Sequence, residues 1–203
     1  MNRQLDPKAY ETATRDFFDK MASDWDEKVF LDTDKVNTVF KIAGVPENAR
    51  ILDVACGTGV LIPSLLESHP EYVAAIDLSP AMIEIARSKY TESCLSIQTG
   101  NFYEFEERGF DLITVYNAYP HFQDKAGFFR QAYNLLNPKG RLLVFHGSGR
   151  EEINACHKGE EEVERISTVL KPCQEEKLLM EQLFRVDVII DTEEYYVLSG
   201  IRR

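Results

Sequence analysis

Residues 51–61 read ILDVACGTGVL. An apolar run meets a carboxylate at Asp53, passes through small residues and breaks at Gly57-Thr58-Gly59. Short apolar runs bounded by glycine have the length and punctuation of buried strands. Glycine tolerates positive φ and lets another group approach the backbone closely. A strand that ends on a carboxylate and then on bare backbone implies a charged, hydroxyl-rich ligand against the turn.

The flanking sequence alternates. RILDVAC (50–56), YVAAIDL (72–78), CLSIQTG (94–100), FDLITVYN (110–117) and RLLVFHG (141–147) read as strands. Val60–Ser68, Pro80–Tyr90 and Lys125–Leu136 read as helices, with Ser79 and Pro80 as N-cap and first residue of the second. NPKG (137–140) reads as a turn. Strands that are apolar throughout and alternate with helices predict a parallel sheet covered on both faces. Upstream, residues 8–28 predict one helix with Phe17, Phe18, Met21 and Trp25 at helical spacing, and Asp32–Ala43 a second, stopped by Gly44. Together they predict an N-terminal helical cap over residues 1–45. Residues 147–176 are polar, with GEEEVE at their centre, and read either as a solvated helix or loop or as a lid or specificity insert. VDVIIDTEEYYVLSGIRR (186–203) predicts a closing antiparallel hairpin at the sheet edge. The absence of repeats and low-complexity linkers predicts one domain over 1–203.

Composition bounds the partners. The net charge of −11 disfavours a nucleic-acid surface, which relies on many Lys and Arg facing phosphates. No apolar run reaches the ~18 residues of a membrane span. MNRQLDPKAYETATRDFF has no apolar signal core, so a cytoplasmic location is expected. Cys56, Cys94, Cys156 and Cys173 form no C-x-x-C pair and are expected as isolated thiols; no metal site is predicted.

Ligands of doubly wound sheets lie outside the carboxyl ends of the strands, where strand order reverses. Asp77 ends the second predicted strand, and a carboxylate there accepts from two ribose hydroxyls. A dinucleotide fingerprint requires a third glycine where this chain has Ile62. Asp53 would also repel a pyrophosphate, whereas it favours a cationic or amino-bearing ligand. An aminoacyl nucleoside fits better than a dinucleotide.

ILDVACGTGVL, AAIDLSPAMIEIAR, GNFYEF, FDLITVYNAYPHF and AYNLLNPKGRLLVF fall in the order and spacing of the class I S-adenosylmethionine-dependent methyltransferases. The chain resembles the small ones of the ubiquinone/menaquinone-biosynthesis type, over roughly residues 15–146. The resemblance implies an α/β, Rossmann-like, doubly wound sheet of seven mostly parallel strands, the last antiparallel, with helices on both faces. It implies S-adenosylmethionine as cofactor and S-adenosylhomocysteine as product. By position, Asp53 would orient the glycine turn and the amino group of the methionine part. Ala55, Cys56, Gly57 and Gly59 would give backbone approach, and Asp77 would take the ribose hydroxyls. Leu78 and Met82 would flank the adenine, with Asn101 and Phe102 at its edge. Asn117 and Ala118 would lie beside the methionine part, and Trp25 would approach from a lid helix. Asn101 stands where the family often has Asp; its amide oxygen still accepts from the adenine amine.

Methyl transfer from a sulfonium is an in-line displacement with a neutral leaving group, so orientation matters more than acid help. Aromatic faces suit a sulfonium, and Trp25, Tyr116, Tyr119 and Phe122 are the candidates. A hydroxyl or thiol acceptor benefits from a base. His121 and His146 follow the fourth and fifth strands at the ligand edge and, with Tyr119, are the candidate catalytic residues. His157 lies in the charged insert, and His69 lies at the opposite side. The expected activity is methyl transfer to a small-molecule acceptor. The alternatives are an NAD(P)-dependent oxidoreductase and a non-catalytic S-adenosylmethionine-binding module. The acceptor atom and the oligomeric state are not legible.

Overall fold

The computed structural model describes residues 6–203; residues 1–5 of the predicted cap lie outside that range. Seven strands form one sheet: β1 Arg50–Val54, β2 Tyr72–Asp77, β3 Leu95–Thr99, β4 Phe110–Tyr116, β5 Leu136–His146, β6 Phe184–Asp191 and β7 Tyr196–Arg202. Their order is β3-β2-β1-β4-β5-β7-β6. β1 to β5 pair in parallel, and β7 runs antiparallel to both β5 and β6. The predicted seven-stranded, doubly wound sheet is therefore present, with the hairpin at its edge. Strand order reverses at β1, between β2 and β4. The crevice beyond the carboxyl end of β1 is thus where such a sheet takes a ligand.

Side chains alternate across this sheet as strand geometry requires. Leu52, Val54, Ile113 and Val115 pack with Phe128 and Phe129 on one face. Ile51, Leu112, Tyr116, Leu143 and Phe145 pack on the other against Val36, Val39 and Phe40. Phe128 and Phe129 belong to α6 (Lys125–Leu135), and the three last residues to α3 (Thr33–Ala43). The predicted cap therefore divides: α3 is part of the layer under the sheet, and only the first helical segment covers the crevice. That segment is also not one helix. α1 (Pro7–Met21) gives way to a 3-10 turn over Ala22–Asp24 and then to α2 (Trp25–Lys28). The bend lets Ala22 bury itself and brings Trp25 round toward the glycine turn.

Helix ends follow local chemistry. The Asp6 carboxylate accepts from the amides of Lys8 and Ala9 ahead of Pro7. The Asp32 carboxylate caps α3 by accepting from the Lys35 amide, and Gly44 ends it at φ 66°. The Ser79 hydroxyl accepts from the Met82 amide at the start of α5 (Pro80–Lys89), as predicted. The helix predicted over 60–68 shortens to α4 (Ile62–Leu66), because the glycine turn continues as turns through Leu61. NPKG is a bulge within β5. Leu136 pairs with Phe110 and the next register pair is Arg141 with Leu112, with Lys139 at φ 68°.

Residues 147–176 form α7 (Arg150–Cys156), α8 (Glu161–Arg165) and the start of α9 (Cys173–Met180). α1 and this segment are joined: the Tyr10 hydroxyl donates to the Ile166 carbonyl (2.5 Å) and Lys20 pairs with Glu162. Among the described residues, no helix is long and apolar enough to cross a membrane, and the four cysteines are free.

Gly59 has φ 85°, and a Cβ there would lie 2.7 Å from a Tyr90 ring carbon and 2.9 Å from the Ile62 side chain. Gly59→Ala is expected to destabilise the fold by about 1–3 kcal/mol through backbone strain alone. Chemical denaturation checks this; an unchanged midpoint would show that the turn relaxes.

Candidate active site

A cavity of 1030 Å³ opens at the carboxyl ends of β1, β2 and β4. Of the predicted cofactor residues, Trp25, Ala55, Cys56, Gly57, Asp77, Leu78, Met82, Asn101, Phe102, Asn117 and Ala118 line it. α1, which sequence reasoning placed only as a cap, adds Tyr10, Glu11, Thr14 and Phe18. Their signal was limited to helical spacing, since nothing local marks which face of a helix roofs a crevice.

The turn after β1 is built from left-handed backbone. Ala55 has φ 55° and Gly57 φ 56°, and Asn117, after β4, has φ 53°. Non-glycine residues pay about 1–3 kcal/mol for such conformations, which concentrate at functional sites. The Trp25 indole nitrogen lies 3.6 Å from where a Cβ on Gly57 would sit.

Two carboxylates sit behind this backbone. Asp53 is buried on the α3 face and in register with Thr114. Its Oδ1 accepts from the Thr114 hydroxyl (2.9 Å), while its Oδ2 has no partner within the protein. Burial, with a smaller contribution from the Asp77 charge, pushes its pKa up to about 7. Asp77 accepts from the Gly57 amide and the Ser79 amide, each at 2.8 Å. Burial raises it to about 6, against the lowering effect of those two amides. The expectation that Asp53 ties down the glycine turn is corrected here. The tie is Asp77 to Gly57, because Asp53 faces β4 from mid-strand and Asp77 reaches across from the end of β2. Gly59 likewise does not line the cavity; its open side is filled by Tyr90 and Ile62.

The roof is latched by polar contacts. The Asp19 carboxylate accepts from the Ser79 hydroxyl (2.5 Å) and the Ala81 amide. Asp26 accepts from the Thr58 hydroxyl and from Lys89. The Asn101 amide nitrogen donates to Glu11 (2.9 Å), and its oxygen accepts from the Tyr103 amide. One lone pair of that oxygen is therefore already used.

The predicted catalytic residues separate. His121 lines the cavity from the 3-10 turn Tyr119–His121. Its Nδ1 lies 2.9 Å from the Ile166 carbonyl oxygen, and Phe18 stands edge-on to its ring at 5.1 Å. A carbonyl only accepts, so Nδ1 carries the hydrogen and Nε2 keeps its lone pair. Burial, and then the neighbouring His157 and Lys125, lower its pKa to about 4 despite the hydrogen bond to Ile166. His146 and Tyr119 are not at the cavity, which corrects both expectations. His146 is the last residue of β5 and lies on the face of Leu142 and Val144, under α6 and α9, edge-on to Tyr196. Tyr119 is fully buried against Phe128 and donates its hydroxyl to Glu176 (2.8 Å). Tyr116 and Phe122 do line the cavity. His121 and His157 have ring centroids 5.2 Å apart, yet no group of three His, Cys, Asp or Glu with metal-holding geometry occurs among the described residues.

Residues 52–144 match the family described as "Methyltransferase domain". That match takes in β1 to β5 up to Val144, the part of the chain that forms the crevice. The chain is similar to malonyl-[acyl-carrier protein] O-methyltransferase of Priestia megaterium, 34% identical over 115 residues, 55% of this chain and 42% of that one. It is similar to ubiquinone biosynthesis O-methyltransferase of Xanthomonas axonopodis pv. citri, 34% identical over 104 residues, 49% of this chain and 43% of that one. The chain spans about half the length of the curated relatives it matches. Its fold is also that of magnesium protoporphyrin IX methyltransferase from Synechocystis PCC 6803 with bound S-adenosylhomocysteine (TM-score 0.70, 16% identity, 95% of this chain and 100% of that one).

The residues present fit the cofactor this fold implies. The orphaned Oδ2 of Asp53 is a buried acceptor without a donor, and an unmade hydrogen bond of that kind costs about 1–3 kcal/mol. An ammonium group supplies the missing donor. Asp53 itself does not line the cavity; Ala55, Gly57 and Asn117, which do, stand between it and the open space.

Proposed function

We propose that this chain transfers a methyl group from S-adenosylmethionine to an oxygen atom of a small-molecule acceptor. The observation that carries the reading is His121: a neutral imidazole, with its tautomer fixed, on the wall of the same cavity as the glycine turn. The curated relatives named above are O-methyltransferases, which supports oxygen as the acceptor atom.

In this reading Asp53 accepts from the amino group of the cofactor and Asp77 from its ribose hydroxyls. Leu78 and Met82 flank the adenine, and Asn101 and Phe102 hold its edge. Ala55, Cys56, Gly57, Asn117 and Ala118 give backbone approach along the amino-acid part. The cofactor supplies a methyl group on sulfur, ready for in-line displacement. The Trp25 face steadies positive charge beside Gly57. Phe18, Tyr116 and Phe122 keep water from the reacting oxygen, which strengthens the electrostatics around it. His121 Nε2 takes the acceptor's hydroxyl proton as the oxygen gains carbon.

Incubation with methyl-labelled S-adenosylmethionine and a panel of phenols, alcohols and carboxylic acids tests the proposal. Label is expected in an ether or an ester. Label found only on nitrogen or carbon of matched amine and enol acceptors would overturn it.

Both carboxylates must be ionised to accept from the ligand. Burial raises Asp53 to about 7 and Asp77 to about 6. Binding favours the deprotonated forms, so affinity for S-adenosylhomocysteine is expected to rise as pH increases from about 5 to 8, with proton release. Calorimetry in two buffers of different ionisation enthalpy measures this; proton uptake on binding would contradict it.

A further inference from the structure

We propose that Lys125 and Glu176 are positioning residues for His121, holding the turn that carries it and placing a positive charge at the turn's first residue. The proposal rests on the reading of His121 as the base. Lys125 begins α6, one turn of chain after His121, and its side chain folds back over the Tyr119 ring with Nζ 3.6 Å from the centroid. Its ammonium donates to the Tyr119 carbonyl. The Tyr119 hydroxyl in turn donates to Glu176, which is buried on α9. A cation on α6 and an anion on α9 thus grip opposite ends of the same residue, at the first position of the His121 turn. The middle position is held from the insert: the Thr168 amide and hydroxyl both donate to the Pro120 carbonyl (2.8 and 2.9 Å). His121 itself donates to Ile166. All three residues of the turn are therefore fixed by partners outside it.

The arrangement is costly for a merely structural brace. Charges withdrawn from water and joined only through a neutral residue are often no more stabilising than apolar residues of the same volume. Burial lowers the Lys125 pKa to about 7, with Glu176 opposing. The groups facing His121 are Lys125 from α6, His157 after α7, His146 at the end of β5 and Phe18 from α1, with the Tyr10 hydroxyl sharing its Ile166 carbonyl. Among these Lys125 is the group that carries positive charge up to about pH 7, its own pKa. While protonated, it keeps His121 neutral and its Nε2 lone pair free.

The test is a titration of ¹⁵N-histidine signals by NMR in the ligand-free chain. Lys125→Met removes the charge and is expected to move the His121 titration upward by about one pH unit, the scale of a nearby like charge. Lys125→Met/Glu176→Gln leaves no unpaired buried charge and covers the case in which the single variant does not fold; the same upward shift is expected. Lys125→Arg keeps the charge and is expected to leave the titration in place. An unmoved His121 titration in either charge-removing variant would overturn the proposal. That result would leave the base reading standing. Undiminished methyl transfer by His121→Gln would remove the base reading and leave the titration coupling intact.

Discussion

Asp77→Ala is expected to weaken S-adenosylhomocysteine binding at least tenfold. A hydrogen bond to a charged acceptor contributes about 1.5–3 kcal/mol, and 1.4 kcal/mol is a factor of ten. The structure makes the loss larger than a ribose contact alone. Asp77 also accepts from the Gly57 and Ser79 amides, so its removal leaves both unpaired and loosens the glycine turn. Asp77→Asn separates these effects. Its amide oxygen still accepts from one backbone amide, while its NH₂ group faces the other backbone N–H and presents donors where the ribose also donates. The Asn variant is expected to lose less thermal stability than the Ala variant, since one of the two backbone amides stays paired, and still to bind weakly. Full affinity in a folded Asn variant would show that the sugar is held elsewhere.

His121→Gln is expected to lower the rate of methyl transfer by about 10²-fold, the low end of the usual contribution of a positioned base, because burial holds its pKa at about 4, below the operating pH. The KM for S-adenosylmethionine is expected to change little, because none of the contacts proposed for the cofactor is made by His121. Glutamine keeps a donor for the Ile166 carbonyl and so preserves the link between the turn and the insert. A rate within twofold of the parent would mean that the acceptor arrives already ionised or loses its proton to water.

The sheet and most of the crevice lining at the ends of β1 and β2 were legible because their signals are local. The run from Ile51 to Leu61 combines strand, carboxylate and glycine turn in eleven adjacent residues. The Ser79-Pro80 start of α5 is likewise a contiguous cap. His146 was placed at the ligand edge from its position at a strand end. The period-2 alternation of Leu142, Val144 and His146 carried the better signal, since it assigns all three to the face that α6 and α9 cover. Tyr119 had no such phase, because a 3-10 turn breaks the strand's alternation just before it. The pairing of Glu176 with Tyr119 spans 57 residues. One carboxylate within the charged run CQEEK (173–177) does not mark itself as the buried one. The interruption of the first helix at Ala22–Asp24 has no proline or glycine to announce it.

The central claim is that the crevice between β1, β2 and β4 takes the amino-acid and sugar parts of a sulfonium nucleoside. A crystal structure with S-adenosylhomocysteine tests it most directly. The account predicts the ligand's amino group within hydrogen-bond distance of Asp53 Oδ2 or one water from it, its ribose on Asp77, and its sulfur on the side of His121. A ligand seated outside this cavity, or with its sugar away from Asp77, would contradict it.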